Sequence, residues 1–310
     1  MNPDQLKQRA QLLSGVRAFF QARGVLEVTT PCVVPHPVSD VHIDSVGLKT
    51  TPASFLRTSP EAAHKWLLAH GLGDIYEMGP VFRAGERGRH HQPEFTLLEW
   101  YRIGWSWRAL AEEVSALITE ISSMWNHRWP TRWLSWSEAC IESLGGVLTA
   151  DQLGQWQHRV PAEARHWPVE DQIDHVFASH VQSQWAEGQV HVIYDYPSHQ
   201  KALAELSDDG QHAKRFEVFV GPIELANGYQ ELTDADEQRQ RFVDDLAHRQ
   251  QHQRPHTEPD ERLLAALQRG LPRCAGVALG VDRLLMAVLG LDQIAEGYTL
   301  TPDHPMTPSE

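Results

Sequence analysis

The residues best suited to chemistry lie between Glu77 and Tyr101, where charged and aromatic side chains follow an apolar run. The run ends at Arg83, and the next ten residues, Ala84 to Pro93, contain two glycines, two further arginines and two histidines. A second run follows, and its period-2 alternation predicts a strand with one face made by Phe95, Leu97, Glu99 and Tyr101. A strand, a mobile basic loop and a returning strand can close over an anionic ligand.

Two glutamates with the spacing of a cation site lie in the sequence KRFEVFVGPIELANGYQEL, which starts at Lys214. Glu217 and Glu224 are seven residues apart, and the Gly-Pro pair between them predicts a turn between antiparallel strands. Two carboxylates at close range repel one another unless a cation lies between them. Magnesium takes one or two carboxylates together with substrate phosphates, so Mg²⁺ with a nucleotide fits this pattern. A solvated edge strand that carries both glutamates is the alternative.

A glycine-rich strand that runs into an apolar helix is predicted from Gly276 to Gly290, with Arg283 in the first turn of the helix. A cation is unfavourable near a helix N-terminus, so Arg283 is expected to be held by an anion or a ring. An ordinary salt bridge is the alternative. Its neighbour Asp282 is predicted either to cap this helix or to pair with Arg283.

Other elements must support these residues. Apolar side chains at helical spacing predict a helix over residues 4–23, and a short strand from Val25 to Thr30 ends before Pro31. A second strand leads into the sequence Thr58-Ser59-Pro60-Glu61, with proline at the first helical position. This pattern predicts an N-cap and, with a ligand nearby, part of a binding site.

The chain from about residue 106 to 190 reads as a mostly helical insertion packed on one edge of the sheet, followed by a buried strand that starts at His191. Most of the tryptophans lie in this part of the chain, and Trp100, Trp105 and Trp107 are interpreted as core or flank residues rather than as a binding site. His248 and His252 are four residues apart on a predicted helix and offer a weaker alternative, a zinc site.

Composition limits the classes of protein. The chain has 310 residues, which fits one domain with one large core, and its formal charge of −14 argues against broad nucleic-acid binding. The cysteines, Cys32, Cys140 and Cys274, have neither disulfide-framework nor metal-site spacing, which is typical of a cytosolic protein. No apolar run is long enough for a membrane span, and the N-terminus is too polar for a signal peptide.

Together these motifs resemble the catalytic core of class II aminoacyl-tRNA synthetases of the lysine branch. The resemblance rests on a helix, strand and proline ending at Pro31, on FRAGERGRHHQPEFTLLEWY and on GVALGVDR, while RTSPE and ELANGYQEL are specific to the branch. Within that branch the chain is most similar to the elongation factor P lysine ligase family. The resemblance implies an α+β fold, an antiparallel sheet flanked by helices, and a homodimer.

Two features separate this family from the tRNA-charging enzymes. The first predicted helix begins within about ten residues of Met1, which leaves no room for the anticodon-binding barrel that precedes the core in lysyl-tRNA synthetases. Ala278 stands in GVALG where the tRNA enzymes tend to have glycine, and its methyl group would reshape the pocket beside the amino-acid backbone. Binding of tRNA is therefore not expected.

The implied reaction uses ATP and Mg²⁺ in the cytoplasm. The carboxylate of lysine or (R)-beta-lysine attacks the α-phosphate, pyrophosphate leaves, and the acyl-adenylate passes to a lysine side chain of elongation factor P. The resemblance assigns catalysis to Arg83 and the metal ion to Glu217 and Glu224. It assigns ATP to Arg83, Gly85, His91, Gln92, Phe95, Glu224, Leu225, Gly280 and Arg283. It assigns the amino acid to Ser59, Pro60, Glu61, Tyr101, Asn227, Glu231 and Ala278, with Glu231 and Tyr101 at the distal ammonium.

The loop after Arg83 departs from the family pattern, which usually reads Arg-Asn-Glu-Glu. Here Ala84 and Gly85 follow the arginine, Glu86 keeps one acid, and Gln92 replaces the usual asparagine. Three other functions are therefore compared with the ligase: a shortened enzyme that charges tRNA, a catalytically silent regulatory paralogue, and an asparagine-forming relative. Glu231 suits an ammonium better than an amide and so disfavours the last.

Overall fold

A computed structural model describes residues 3–251, 254–255 and 257–298 of the chain. Its α-helices are α1 Pro3–Ala22, α2 Glu61–Ala69, α3 Trp107–Ser123, α4 Trp136–Leu144, α5 Leu153–Trp156, α6 Val169–His180, α7 Ala235–Gln251, α8 Glu261–Gly270 and α9 Val281–Leu289. Its strands are β1 Leu26–Glu27, β2 Val33–Val34, β3 Val46–Leu48, β4 Ser54–Leu56, β5 Ile75–Phe82, β6 Glu94–Ile103, β7 Thr131–Ser135, β8 Val190–Pro197, β9 His212–Val220, β10 Ile223–Gln230 and β11 Cys274–Gly280.

The described residues divide into two units. The first takes those within Met1–Tyr101, Asp234–Leu271 and Leu279–Glu310, and the second takes Arg102–Thr233 and Pro272–Ala278. In the first unit β1 pairs with β5 in parallel, β5 pairs with β6 antiparallel, and β2, β4 and β3 form a small antiparallel sheet. Helix α2 packs against α8. None of the described helices is both long and apolar enough to cross a membrane.

Helix α1 forms as its apolar spacing predicts. Its buried residues are Leu12, Val16, Phe19 and Phe20, which lie on one face, and the chain leaves the helix through Gly24 at φ 68°. The strand predicted from Val25 to Thr30 is shorter and comprises only Leu26–Glu27, although the N–H of Val28 still donates to the carbonyl of Tyr76. Pro31 has no N–H and cannot extend this pairing.

The long hairpin predicted from the sequence is present as β5 and β6. Their register places Glu77 opposite Glu99, and the strands pair from Ile75 with Tyr101 to Phe82 with Glu94. Glu77, Glu99 and Tyr101 are all buried, so this hairpin carries polar groups into the interior of the first unit. Such groups require partners there.

The strand order in the second unit is β11-β10-β9-β8-β7. The hairpin of β9 and β10 and the pairing of β8 with β9 are antiparallel, whereas β7 pairs with β8 in parallel. The sequence analysis predicted an antiparallel sheet, whereas each unit also contains a parallel pair, β1 with β5 in the first and β7 with β8 in the second. Pairing with β1 and β7 follows helical connections, which bring a strand back in the same direction.

The segment predicted as mostly helical contains α3, α4, α5 and α6, each within the predicted region. Ser106 caps α3 through a hydrogen bond from the N–H of Ala109, and Ser135 with Glu138 forms a capping box on α4. The segment also contains strand β7, which the sequence analysis missed. Trp136 stacks on Phe177 with ring centroids 3.6 Å apart in the core beneath these helices.

Candidate active site

Arg83 leaves the end of β5 at the start of the basic loop. Its backbone N–H donates to the carbonyl of Pro93, which closes the loop, and its guanidinium lies 5.1 Å from the ring centroid of Phe95. Nη1 of Arg83 is 3.8 Å from Oε1 of Glu86. The retained acid of the loop therefore faces the arginine, and Gly85 provides the turn between them at φ 76°.

Arg283 contacts the same loop. Its Nε donates to the carbonyl of His90 at 3.2 Å, and its Nη2 lies 2.8 Å from Nε2 of His91. The sequence analysis predicted that an anion or a ring holds Arg283, and its contacts include the imidazole ring of His91 and a backbone carbonyl. Gly280 precedes it as the helix N-cap without a side-chain hydrogen bond.

Asp282 has different partners from those predicted. It neither caps α9 nor pairs with Arg283; its carboxylate accepts from the guanidinium of Arg9, from the N–H of Thr96 at 2.6 Å and from the hydroxyl of Tyr298 at 2.7 Å. These partners come from distant parts of the chain, so neighbouring sequence could not indicate them. The carboxylate fixes the backbone next to Phe95.

The sequence Thr58-Ser59-Pro60-Glu61 does not cap helix α2 by a side chain. The N-cap residue is Pro60 rather than a hydroxyl residue, and the helix begins at Glu61. The side chain of Glu61 lies 2.8 Å from Nζ of Lys65, which is fully buried. The predicted side-chain cap is therefore wrong, and the binding role of this segment remains a prediction.

The first unit also contains a group of buried charged side chains around Glu77. Glu77 accepts hydrogen bonds from Thr30, from Arg57 at 2.7 Å and from His64 at 3.0 Å. Glu99 accepts a 2.9 Å hydrogen bond from the hydroxyl of Tyr101. The sequence analysis connected Tyr101 with a site and named Glu99 as one of the side chains on the same strand face. It did not connect the other residues of this group with a site. Arg57 follows strand β4 and Glu77 lies in β5 of another sheet, so local sequence patterns gave no signal that these two charges pair.

We expect low pH to destabilise the fold by protonating Glu77. Burial raises the pKa of this carboxyl, but the hydrogen bonds from His64, Thr30 and Arg57 outweigh burial and lower the pKa from 4.5 to about 2. A lowered folded-state pKa stabilises the protein above pH 4.5, and this stabilisation is lost as the pH falls toward 2. We expect Glu77→Gln to lower the free energy of unfolding by about 3 kcal/mol at pH 6 and by much less near pH 2.

Urea unfolding of wild type and variant across this pH range measures the difference. Glu142→Gln is the matched control, since Glu142 is an exposed carboxylate paired with Arg132 at the surface. Its effect should stay below about 1 kcal/mol at every pH. A gap between wild type and Glu77→Gln that does not change with pH would contradict the assignment.

Glu217 on β9 is engaged by two neighbours in the second unit. The guanidinium of Arg215 pairs with one oxygen, and the hydroxyl of Tyr196 donates to the other at 2.7 Å. Arg215 also donates through Nε to the side-chain oxygen of Asn227 at 3.1 Å and lies over the ring of Tyr196. The sequence analysis missed Arg215, although its position two residues before Glu217 places both on one face of the strand.

The two predicted metal ligands lie on adjacent strands. The register of β9 and β10 pairs Glu224 with Phe219 and Asn227 with Glu217, with an irregularity after Glu224. Burial raises the pKa of Glu217; Arg215 lowers it and the negative charge of Glu224 raises it further. A divalent cation relieves such repulsion, and a hard carboxylate pair suits Mg²⁺, so these residues fit the ion. No group of three or more acidic, histidine or cysteine ligands occurs among the described residues.

Strand β10 continues into Glu231, which is 2% exposed. The backbone N–H of Glu231 donates to the carbonyl of Cys274 on β11. Leu225 is buried within β10, and Ala278 on β11 is partly buried. The roles of these residues in binding remain predictions.

Gly228 is packed so closely that no space remains for a side chain at this position. A Cβ at this position would lie 2.6 Å from the ring of Phe216, 2.7 Å from Cβ of Val277 and 2.8 Å from the carbonyl of Gly276. Gly228→Ala must therefore shift β10 beside Asn227, and we expect a loss of stability of about 1–3 kcal/mol together with reduced activity.

Thermal unfolding compared with Gly154→Ala tests this prediction. A Cβ at Gly154, in helix α5, meets nothing within 4 Å, so alanine there should leave the melting temperature unchanged or raise it. Equal melting temperatures for the two variants would contradict the packing argument.

Comparison with known proteins places this arrangement in a family. The family model for class II tRNA synthetases (D, K and N) matches residues 2–300. The chain belongs to the class II tRNA synthetase family. Its similar relatives include elongation factor P–(R)-beta-lysine ligases from Avibacterium paragallinarum, 39% identical over 307 residues, and Proteus mirabilis (strain HI4320), 40% identical over 311, each covering 94% of this chain and 93% of the relative. The relative from Salmonella typhi is 39% identical over 317 residues, 96% of this chain and 95% of its own.

Nearly the whole length of this chain is similar in sequence to these ligases. The predicted fold class, the predicted resemblance and the predicted ligase class are thereby confirmed. The weaker zinc alternative depends on His252, which lies outside the described residues.

Proposed function

We propose that the protein is an ATP-dependent ligase that activates (R)-beta-lysine and transfers it to a lysine side chain of elongation factor P. The observation that carries this proposal is the match to ligases of that name over about nine-tenths of both chains. The sequence differences from tRNA-charging enzymes, above all Ala278, point the same way.

The proposed reaction has two steps. A carboxylate oxygen of the amino acid attacks the α-phosphorus of ATP, and the bond to pyrophosphate breaks. The amine of the acceptor lysine then attacks the acyl carbon, the bond to AMP breaks, and a proton leaves the nitrogen. Catalysis of the first step comes from aligning the reactants and neutralising charge.

The basic loop after β5, together with Phe95 and Arg283, is proposed to contact the nucleotide. Arg83 would bind the carboxylate and the α-phosphate, while Phe95 and Arg283 would stack on the two faces of adenine. The other residues proposed to line the nucleotide are Gly85, His91, Gln92, Leu225 and Gly280. In support, the loop is closed at Arg83 and is contacted by Arg283.

A magnesium ion would be held by Glu217 and Glu224 and would neutralise charge on the phosphates. Arg215 would keep Glu217 oriented, because it already pairs with that carboxylate and with Asn227.

Selection of the amino acid is proposed for a further set of side chains. Glu231 and Tyr101 are proposed for the distal ammonium, and Glu61 for the nearer amine. The remaining contacts would come from Ser59, Pro60, Asn227 and Ala278. A buried carboxylate rejects neutral analogues, because it would be left without its partner in the complex.

A homodimer is part of the proposal. The expectation of a homodimer rests on the motif that ends at Pro31; Leu26 within this motif is 54% exposed, and Val33, two residues after it, is 52% exposed. Burial of both side chains in a second copy would support association. Analytical ultracentrifugation of the wild type and Val33→Asp measures this directly.

The activity is tested by mixing the purified protein with ATP, (R)-beta-lysine and elongation factor P. We expect a mass increase on one lysine of the factor, with lysine as a poorer or alternative donor. Charged tRNA with an unchanged factor would favour the aminoacylating alternative instead. Absence of pyrophosphate exchange with every amino acid would identify a silent paralogue.

A further inference from the structure

His64 lies in helix α2 between two carboxylates and is completely buried. Its Nε2 is 3.0 Å from Oε2 of Glu77, and its Nδ1 is 3.4 Å from Oε1 of Glu99. A neutral imidazole can donate from one nitrogen only, whereas the imidazolium donates from both. Because each ring nitrogen faces a carboxylate oxygen, the geometry favours the imidazolium.

The charges around His64 also favour this form. Glu77 and Glu99 are opposite one another in the register of β5 and β6, and each is 3% exposed. Arg57 pairs with Glu77 and Lys65 with Glu61. The titratable and charged groups facing the imidazole or next to it are Arg57, Glu61, Lys65, Glu77, Glu99 and Tyr101. Among these named groups, three carboxylates face two cations, so a proton on His64 balances their charges.

The direction of the pKa shift agrees with this balance. Burial lowers the pKa of His64, but the hydrogen bonds and negative charges of Glu77 and Glu99 raise it above 6.5 overall. The charged form therefore persists to a higher pH than in an exposed histidine, and its contribution is lost as the pH rises through the raised pKa.

Glu99 connects His64 to Tyr101. The hydroxyl of Tyr101 donates to Oε1 of Glu99 at 2.9 Å, and the same oxygen faces Nδ1 of His64. The rings of His64 and Tyr101 meet edge to face, with centroids 5.6 Å apart. A change of charge on His64 therefore acts on the carboxylate that orients the tyrosine hydroxyl.

We propose that His64 is a charged positioning residue of the amino-acid pocket, whose imidazolium holds Glu99 and, through Glu99, the hydroxyl of Tyr101 in place for the substrate. This inference rests on the proposed function, because the place of Tyr101 in that pocket is part of it. Loss of the charge weakens binding of the amino acid and leaves binding of ATP unchanged.

The protonation state is tested first, on the wild-type protein and without any assay of activity. Nitrogen-15 NMR of labelled histidine distinguishes imidazolium from neutral imidazole, and the signal missing from His64→Gln identifies His64. We expect the form with both ring nitrogens protonated to predominate at pH 6.5. A ring with a single protonated nitrogen at that pH would overturn the inference, and this result does not depend on which reaction the enzyme catalyses.

Amino-acid-dependent pyrophosphate exchange tests the role in binding. His64→Gln and His64→Leu should raise the KM for the amino acid by on the order of tenfold, while the KM for ATP stays within about twofold. The wild-type KM for the amino acid should rise as the pH passes the raised pKa of His64, and the profile of His64→Gln should be flat there. His70→Gln, an exposed histidine at the end of the same helix, is the matched control.

Two results would overturn the role: an equal rise in both KM values in both variants, or superimposable pH profiles for wild type and His64→Gln. Circular dichroism shows which variants fold, and the wild-type pH profile requires no variant. A folded wild type without exchange activity would instead overturn the proposed function and the pocket role together, while NMR still reports the charge on His64.

Discussion

Replacing Arg83 by alanine should slow amino-acid-dependent pyrophosphate exchange by about 10²- to 10³-fold, the loss measured when one preorganised donor to a developing charge is removed. The physical reason is charge. In the proposed reaction two anions, the substrate carboxylate and the α-phosphate, must approach one another, and a guanidinium between them removes their repulsion. The backbone hydrogen bond from Arg83 to Pro93 survives the change, so the loop should remain closed.

The control for Arg83→Ala is Arg89→Ala in the same loop. Arg89 is 65% exposed at its side chain, and its Nε donates to the carbonyl of Asp292. The charge change is identical, so a general electrostatic effect would slow both variants equally. We expect Arg89→Ala to keep exchange within a few-fold of wild type, and comparable losses in the two variants would remove Arg83 from the catalytic role.

Glu231→Gln should reduce kcat/KM for the lysine-type substrate by on the order of 10²- to 10³-fold, because truncating one side of a buried charge pair costs about 2–5 kcal/mol. The side chain is 2% exposed, so water cannot replace the lost carboxylate. Most of the loss should appear in the KM for the amino acid. The kcat/KM for a neutral analogue of the same length should fall much less. The variant should therefore lose most of its preference for a substrate with an ammonium group.

Glu205→Gln provides the comparison in the same unit. Glu205 is a partly exposed carboxylate that pairs with Lys214, and its backbone N–H donates to the carbonyl of Gln230, next to Glu231. This change also removes one negative charge near β10. Wild-type kinetics for Glu205→Gln together with a selective loss in Glu231→Gln are expected. Loss of ATP affinity without loss of amino-acid affinity in Glu231→Gln would refute the assignment.

Local patterns in the sequence were sufficient for the elements that carry the site. The alternation of Phe95, Leu97, Glu99 and Tyr101 predicted strand β6 and its inner face, because side chains on a strand repeat every second residue. The apolar spacing of residues 4–23 predicted helix α1, and the Gly-Pro turn predicted the β9–β10 hairpin. These features depend on neighbours in the chain.

Long-range partners were beyond such patterns. Asp282 pairs with Arg9, 273 positions away, and nothing near Asp282 distinguishes this arrangement from a helix cap. His64 is at helical spacing among apolar residues, so only the structure reveals that it faces two carboxylates. Strand β7 was missed because a five-residue segment beside helix α4 has too short a pattern to separate it from a helix start.

The contacts of Asp282 have a practical consequence for protein engineering. The carboxylate joins the first helix, through Arg9, to the backbone of Thr96 and the hydroxyl of Tyr298. Trimming the first ten residues would remove one of its cationic partners and leave the remaining contacts to stabilise a buried anion. Engineered variants should therefore keep Arg9, because loss of this contact should lower the free energy of unfolding.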